Sequence, residues 1–313
     1  MILFRWANVA KPRNQAIRLA KHLKCPDTSS GSAIVDCLRK VSGSDLIEAQ
    51  NIFIDWSESG DNGNEPMNLF SPRSDPESDN PFLPLEPIVA MKRGIFNGVP
   101  YMLGYAEKEG IWRANYVAPE DNDSHLWKKF VANFRDIGPL AFGIRNQTDN
   151  EQEVLDKLIK FYKLEEMEDP TEDVIEAYVD AQSESMFTYG IDVTTKLMSQ
   201  HIPTYFYYLT YPGYHSLALL RKNQKFGDPK YEALKKATHG TDMLLMFPMF
   251  PFPDMPQEDI KVSRHFNKLL VDFAQNGKST SFPDWTAFSE ESPSILVNFS
   301  LPRCLLKSFS LVF

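Results

Sequence analysis
Two short loops carry side chains that can move protons. "AEKEG", residues 106–110, places Glu107 and Glu109 directly after the apolar run "PYMLGY". "KATHGTDMLLMF", residues 236–247, sets His239 in a small polar turn followed at once by apolar residues. A carboxylate that meets an imidazole fixes its tautomer and stabilises its protonated form, so the pair can act as a general base. Each residue also has a plainer role: a loop histidine is more often structural or exposed, and a loop glutamate more often solvated. Type alone therefore assigns nothing.

The elements that would deliver these loops are legible from periodicity. "IPTYFYYLTY" is aromatic, β-branched and uncharged, which predicts a strand buried on both faces. "GVPYMLGY" and "SILVNFS" read as further strands. "NQAIRLAKHLK" spaces Ala16, Leu19, Ala20 and Leu23 on one helical face. Helices are also expected over "HLWKKFVANF", "NEQEVLDKLIKFYKL" and "TEDVIEAYVDAQSESMF". "DIKVSRHFNKLLVDFAQNG" aligns Phe266, Leu269, Leu270 and Phe273 and stops at Asn276-Gly277. Residues 57–81 are rich in Ser, Pro, Asp and Asn and read as a surface loop. Strands alternating with helices predict an α/β fold with a mostly parallel sheet and flanking helices. In such a sheet functional groups gather on loops at the carboxyl ends of strands, where "AEKEG" and the loop beyond "YFYYL" both lie.

Bulk properties narrow the field. The chain has 313 residues, 42% apolar and 24% charged, enough for a substantial core. A net charge of −9 opposes nucleic-acid binding, because no basic patch is available for phosphates. No apolar run approaches a bilayer span. "MILFRWANVAKPRN" lacks the pattern of a secretory signal, its apolar part being broken by Arg5 and Asn8. Cys25 and Cys37 bracket a short polar loop and by spacing are either a bridge or two unrelated thiols; Cys304 has no evident partner. Sequons at Asn122, Asn146 and Asn298 are compatible with secretion.

Taken in order, several segments carry a resemblance that covers nearly all of the chain. "AIRLAKHLKCP…AIVDCLRK" resembles a small disulfide loop and CLR element. "NPFLPLEPIVAMKRGIFNGVPYMLGYAEKEG" is similar to an acid segment with the pattern G-x-x-x-x-E-G, here Gly104 to Gly110. "PTYFYYLTYPGYHS" resembles a last buried strand, "HGTDMLLMF" an H-x-x-D followed by an apolar run, and "FAQNGKS" a helix end. Together they resemble the C-terminal part of a type-B carboxylesterase, the cholinesterase-like branch of the α/β-hydrolases, most closely its insect esterases. The resemblance implies that Glu109 is the triad acid, His239 the general base, Cys25–Cys37 a disulfide, Asp242 an anchor of the histidine loop and Glu107 a solvated neighbour. It also implies a small-molecule carboxylic ester as substrate, no cofactor, no metal and an extracellular location. The family usually has Gly-Val shortly before its histidine and an acid where Thr241 stands.

The nucleophile is the missing part. No G-x-S-x-G occurs; "SSGSA" and "VSGSD" lack the second glycine at the needed spacing. Relatives carry the serine and the oxyanion loop upstream of the region that "FRWANVAKPRN" resembles, so the expectation is a partial domain over residues 1–313, inactive alone and dependent on its N-terminal half. A non-catalytic binding or adhesion module and a non-functional gene fragment are the alternatives, distinguished by the sequence of the full transcript. Trp112, Phe247 and Phe250 are candidates to line a substrate gorge, with core packing as their ordinary role.

Overall fold
Burial on both faces decides the fate of "TYFYYL". In the computed structural model, which describes residues 12–49, 72–111, 113–114, 125–144, 148–213, 230–247, 255–297 and 305–306, this segment is strand β2 (Thr204–Leu209). It lies between β1 (Tyr101–Ala106) and β3 (Ile295–Val297), parallel to both, and β3 continues the sheet into β4 (Leu305–Leu306), which is antiparallel. Among the described residues the order is β1-β2-β3-β4. The expected mostly parallel α/β sheet is thus observed. Residues 57–71, Trp112, Asn122, Asn146, Phe250, Asn298 and Cys304 lie outside the described residues.

The described residues form two compact units, one within 87–132 and 158–313 and one within 4–86 and 133–157. The first holds the sheet. Alternate residues of β2 point opposite ways, as the period of a strand requires. Tyr205, Tyr207 and Leu209 join the core of helix α11 (Gln257–Asn276), whose Val262, Phe266, Leu269 and Phe273 are buried together with Trp285 and Leu296. The Trp285 indole N–H donates to the Phe206 carbonyl at 3.1 Å, so the largest side chain of this core also satisfies its polar atom. On the opposite face Phe206 and Tyr208 meet Tyr105 of β1, with ring centroids 5.5 and 5.0 Å apart. Helix α11 stops as its sequence predicts, with Gly277 in the left-handed region at φ 67° and its N–H on the Phe273 carbonyl. The long helical segment after Thr171 goes further than its pattern suggests. Helix α8 (Glu172–Ser183) passes through a π-helical turn, Glu184–Thr188, into α9 (Tyr189–Ser199).

The second unit is built from α1 (Pro12–His22), α2 (Gly31–Leu38), α3 (Gly43–Glu48) and α6 (Phe134–Ala141), with the first turns of α7 (Glu151–Tyr162); α4 (Pro87–Lys92) and α5 (His125–Ala132) belong to the first unit. Ser30 and Ser42 cap α2 and α3 by accepting the N–H groups of Ala33 and Asp45. Leu19 and Ala49 bury against Leu23, Leu38 and Leu46. Pro139 sits inside α6, where its missing N–H leaves the Arg135 carbonyl without its usual donor; the Gln152 side chain supplies one at 2.8 Å. Cys25 and Cys37 are disulfide-bonded across 12 residues, the pairing the resemblance implies. Replacing both with serine is expected to lower unfolding stability by about 2–3 kcal/mol, seen as a lower urea midpoint.

Candidate functional site: a buried carboxylate against a half-exposed histidine
The two loops singled out by their chemistry meet. Strands β1 and β2 run in step for six residue pairs, Tyr101↔Thr204 to Ala106↔Leu209, and therefore end side by side. The ladder continues one bond further, from the Glu107 N–H to the Leu209 carbonyl at 2.9 Å. The next residue docks the acid loop on the approach to the histidine: the Lys108 N–H donates to the Ala237 carbonyl at 2.9 Å. Glu109 then folds back. Its Oε1 accepts the Ala106 N–H at 2.8 Å, and its Oε2 lies 3.0 Å from Nδ1 of His239.

Burial divides the pair unequally. The Glu109 side chain is 9% exposed and the His239 side chain 43%. An ionised carboxylate can only accept, so Nδ1 must carry the proton and Nε2 is left as the basic nitrogen. The imidazole is thus oriented from its sheltered side and open enough for a reacting group to approach.

The histidine turn has its own lock. Gly240 takes φ 79°, a left-handed conformation that suits glycine. Around it the Thr238 N–H donates to the Thr241 hydroxyl at 3.0 Å, and the Thr241 N–H donates to the Thr238 carbonyl at 2.9 Å. Thr241, which stands where an acid is usual in the resembled family, is buried and closes this turn. It starts the short helix α10 (Thr241–Met246). Asp242, in the same turn, accepts the Tyr207 hydroxyl at 3.0 Å and so ties α10 to the central strand. Burial first, and then the Asp242 charge, push the Tyr207 hydroxyl well above its ordinary pKa. Gly104 stands opposite Tyr207 because a Cβ there would come within 2.5 Å of the tyrosine ring. Gly104 and Gly110, the two glycines of the G-x-x-x-x-E-G pattern, thus each answer to a close approach, the second of them to α8.

Helix α8 and the π-turn complete the surroundings. Lys108 reaches Glu176 at 3.0 Å and Asp180 at 2.5 Å. Burial works against charge on both sides of this contact. The two carboxylates outweigh it at Lys108 and raise its pKa, whereas burial wins at Asp180 and raises that one despite the lysine. Tyr105, buried first and then faced by Glu184, Asp192 and Glu109, is pushed up to about 12. The Gly110 N–H donates to the Ser183 hydroxyl at 2.8 Å, and the Phe187 ring lies 4.7 Å from the imidazole, tilted by 35°.

Two sequence expectations change. Glu107 is half-buried, with Lys236 at 3.9 Å, where a solvated residue was expected; its N–H continues the β-ladder and holds the residue inward. Phe247, a candidate for gorge lining with core packing as its ordinary role, is 58% exposed and so is not core, because α10 ends at Met246 and the chain extends there. Ser183, Phe187, Tyr207 and Thr238 were not anticipated. Only Tyr207 left a trace, as one of several hydroxyls in an uncharged strand.

Comparison with known proteins gives the family and the fold. The model of the "Carboxylesterase family" matches residues 1–307. Juvenile hormone esterase of Tribolium castaneum is 26% identical over 313 residues, covering 92% of this chain and 50% of that protein. Venom carboxylesterase-6 of Apis mellifera is 22% identical, covering 94% and 51%. A solved "PNB esterase" superposes with a TM-score of 0.59 at 17% identity, over 92% of this chain and 50% of the other, a likeness of fold. The chain spans about half the length of the curated relatives it matches.

Proposed function
Because the chain belongs to the carboxylesterase family, we propose that Glu109 and His239 are the acid and general base of a serine esterase acting on small carboxylic esters. The observation that supports this reading is the 3.0 Å contact between Glu109 Oε2 and His239 Nδ1, made by loops that leave neighbouring parallel strands. In the proposed reaction His239 Nε2 takes the proton of a serine hydroxyl as its oxygen attacks the ester carbonyl. The serine–acyl bond forms, and the imidazolium returns its proton to the departing alcohol as the old C–O bond breaks. Water, deprotonated in turn by His239, releases the acid and restores the serine. Glu109 keeps its charge throughout and stabilises the imidazolium. Asp242 holds the histidine turn through Tyr207 and takes no part in proton transfer.

The serine and the oxyanion donors come, on this reading, from a part of the protein outside these residues, since no G-x-S-x-G occurs among them. A fluorophosphonate probe applied to the complete protein is expected to label one serine in a G-x-S-x-G outside the 313 residues, as read by peptide mass spectrometry. Labelling of a serine within them, or none at all, would refute the assignment. The Cys25–Cys37 bridge supports a secreted protein, as bridges persist in oxidising compartments. Asn122, Asn146 and Asn298 would then be open to glycosylation. Among the described residues no helix is long and apolar enough to cross a membrane.

A further inference from the structure
We propose that Ser183 and Phe187 are positioning residues, and that the helix carrying them, with its π-turn, sets the bearing of Glu109 and His239 towards each other. The inference rests on the reading of those two residues as an acid–base pair. Glu176, Asp180 and Ser183 fall at i, i+4 and i+7, one stripe of α8, and Phe187 follows four residues on, within the π-turn. Each touches the site. Glu176 and Asp180 hold the Lys108 ammonium, Ser183 holds the Gly110 N–H, and Phe187 lies against the imidazole.

Lys108 and Gly110 are the two chain neighbours of Glu109. Both contact the same helix, Gly110 through its backbone N–H and Lys108 through its ammonium, so a shift of the Glu109 backbone away from the helix breaks the Gly110 bond. Ser183 is committed on both sides, since its hydroxyl accepts from Gly110 and donates to the Val179 carbonyl at 2.7 Å. The approach is close enough to exclude any side chain at residue 110, where a Cβ would lie 2.6 Å from the Val179 oxygen. Beyond Ser183 the helix widens over Glu184–Thr188. A π-turn inserts extra chain into the helix and so rotates the phase of the turns beyond it. Phe187 lies within that turn and is 1% exposed. Its ring covers one side of the imidazole and limits rotation away from Glu109. One helix thus indexes the acid through the backbone and the base through a ring contact.

The test is NMR of the histidine-labelled protein, following the Nδ1–H proton of His239 and its exchange with water, with the line assigned by its loss in His239→Gln. Ser183→Ala removes the acceptor of a buried N–H, and Phe187→Leu removes the ring while keeping most of the volume. Each is expected to speed exchange of that proton by about tenfold, the size of effect expected from one lost buried contact. Ser185→Ala, on the same turn but bonded to the Ala181 carbonyl, should leave it unchanged. Unchanged exchange in folded Ser183→Ala and Phe187→Leu would overturn the inference; should Phe187→Leu fail to fold, Ser183→Ala decides it. Glu109→Gln separates the two readings. If it speeds exchange and Ser183→Ala does not, only the positioning role falls. If it has no effect, the acid–base pair falls as well.

Discussion

His239→Ala is expected to slow hydrolysis of p-nitrophenyl acetate by the complete protein by on the order of 10⁶, with Glu109→Gln costing about 10⁴. The asymmetry follows from the geometry. The imidazole carries the proton in both half-reactions, so its removal leaves a hydroxyl that is a poor nucleophile. Glu109 moves no proton. Losing its charge leaves a neutral amide 3.0 Å from Nδ1, able to present either its oxygen or its NH₂, and the latter selects the wrong tautomer. The backbone N–H of Ala106, which now meets Oε1 at 2.8 Å, favours that same orientation, since the opposite one sets an NH₂ against an N–H. The 313 residues by themselves are expected to show no hydrolysis, since the proposed acid and base then have no hydroxyl to activate. Turnover by the purified 313-residue chain that disappears in His239→Ala would contradict the division of the site.

Gly110→Ala is the largest expected change in stability, at about 3 kcal/mol, from overpacking against backbone that cannot yield. The added methyl would meet the Val179 oxygen at 2.6 Å and the Ser183 nitrogen at 2.7 Å, besides the Gln182 Cβ. Two of these are main-chain atoms of α8, so relief requires the acid loop and the helix to separate. That motion would break the Gly110–Ser183 bond and stretch the Lys108 contacts together. Gly98→Ala is the control, because nothing lies within 4 Å of a Cβ there. Urea unfolding of the two variants gives the comparison, and equal midpoints would show that the loop is not held as closely as its contacts indicate.

The strands were readable because their patterns have one explanation. "TYFYYL" has no polar face, and only a strand covered on both sides accommodates it. The helix over Gln257–Asn276 announced its buried stripe and its glycine stop. The acid and the histidine were found through the resemblance; their types and positions made them candidates without bringing them together. What escaped was the support. Ser183 looks like any helical serine until the Gly110 N–H arrives from 73 residues away. The π-turn leaves no signature in "ESMFT", since a widened turn is fixed by packing and not by composition. Phe247 departs from the ordinary core role for the opposite reason. It closes an apolar run, but the helix ends one residue before it.

Parallel pairing also governs when the site can come into being. Glu109 and His239 are 130 residues apart, and no local segment can pre-assemble them. They become neighbours only when β1 and β2 zip together across a loop that must first be closed against its entropy. The carboxylate–imidazole contact is therefore a late arrival in refolding. Its proton signal would time the moment at which the sheet locks.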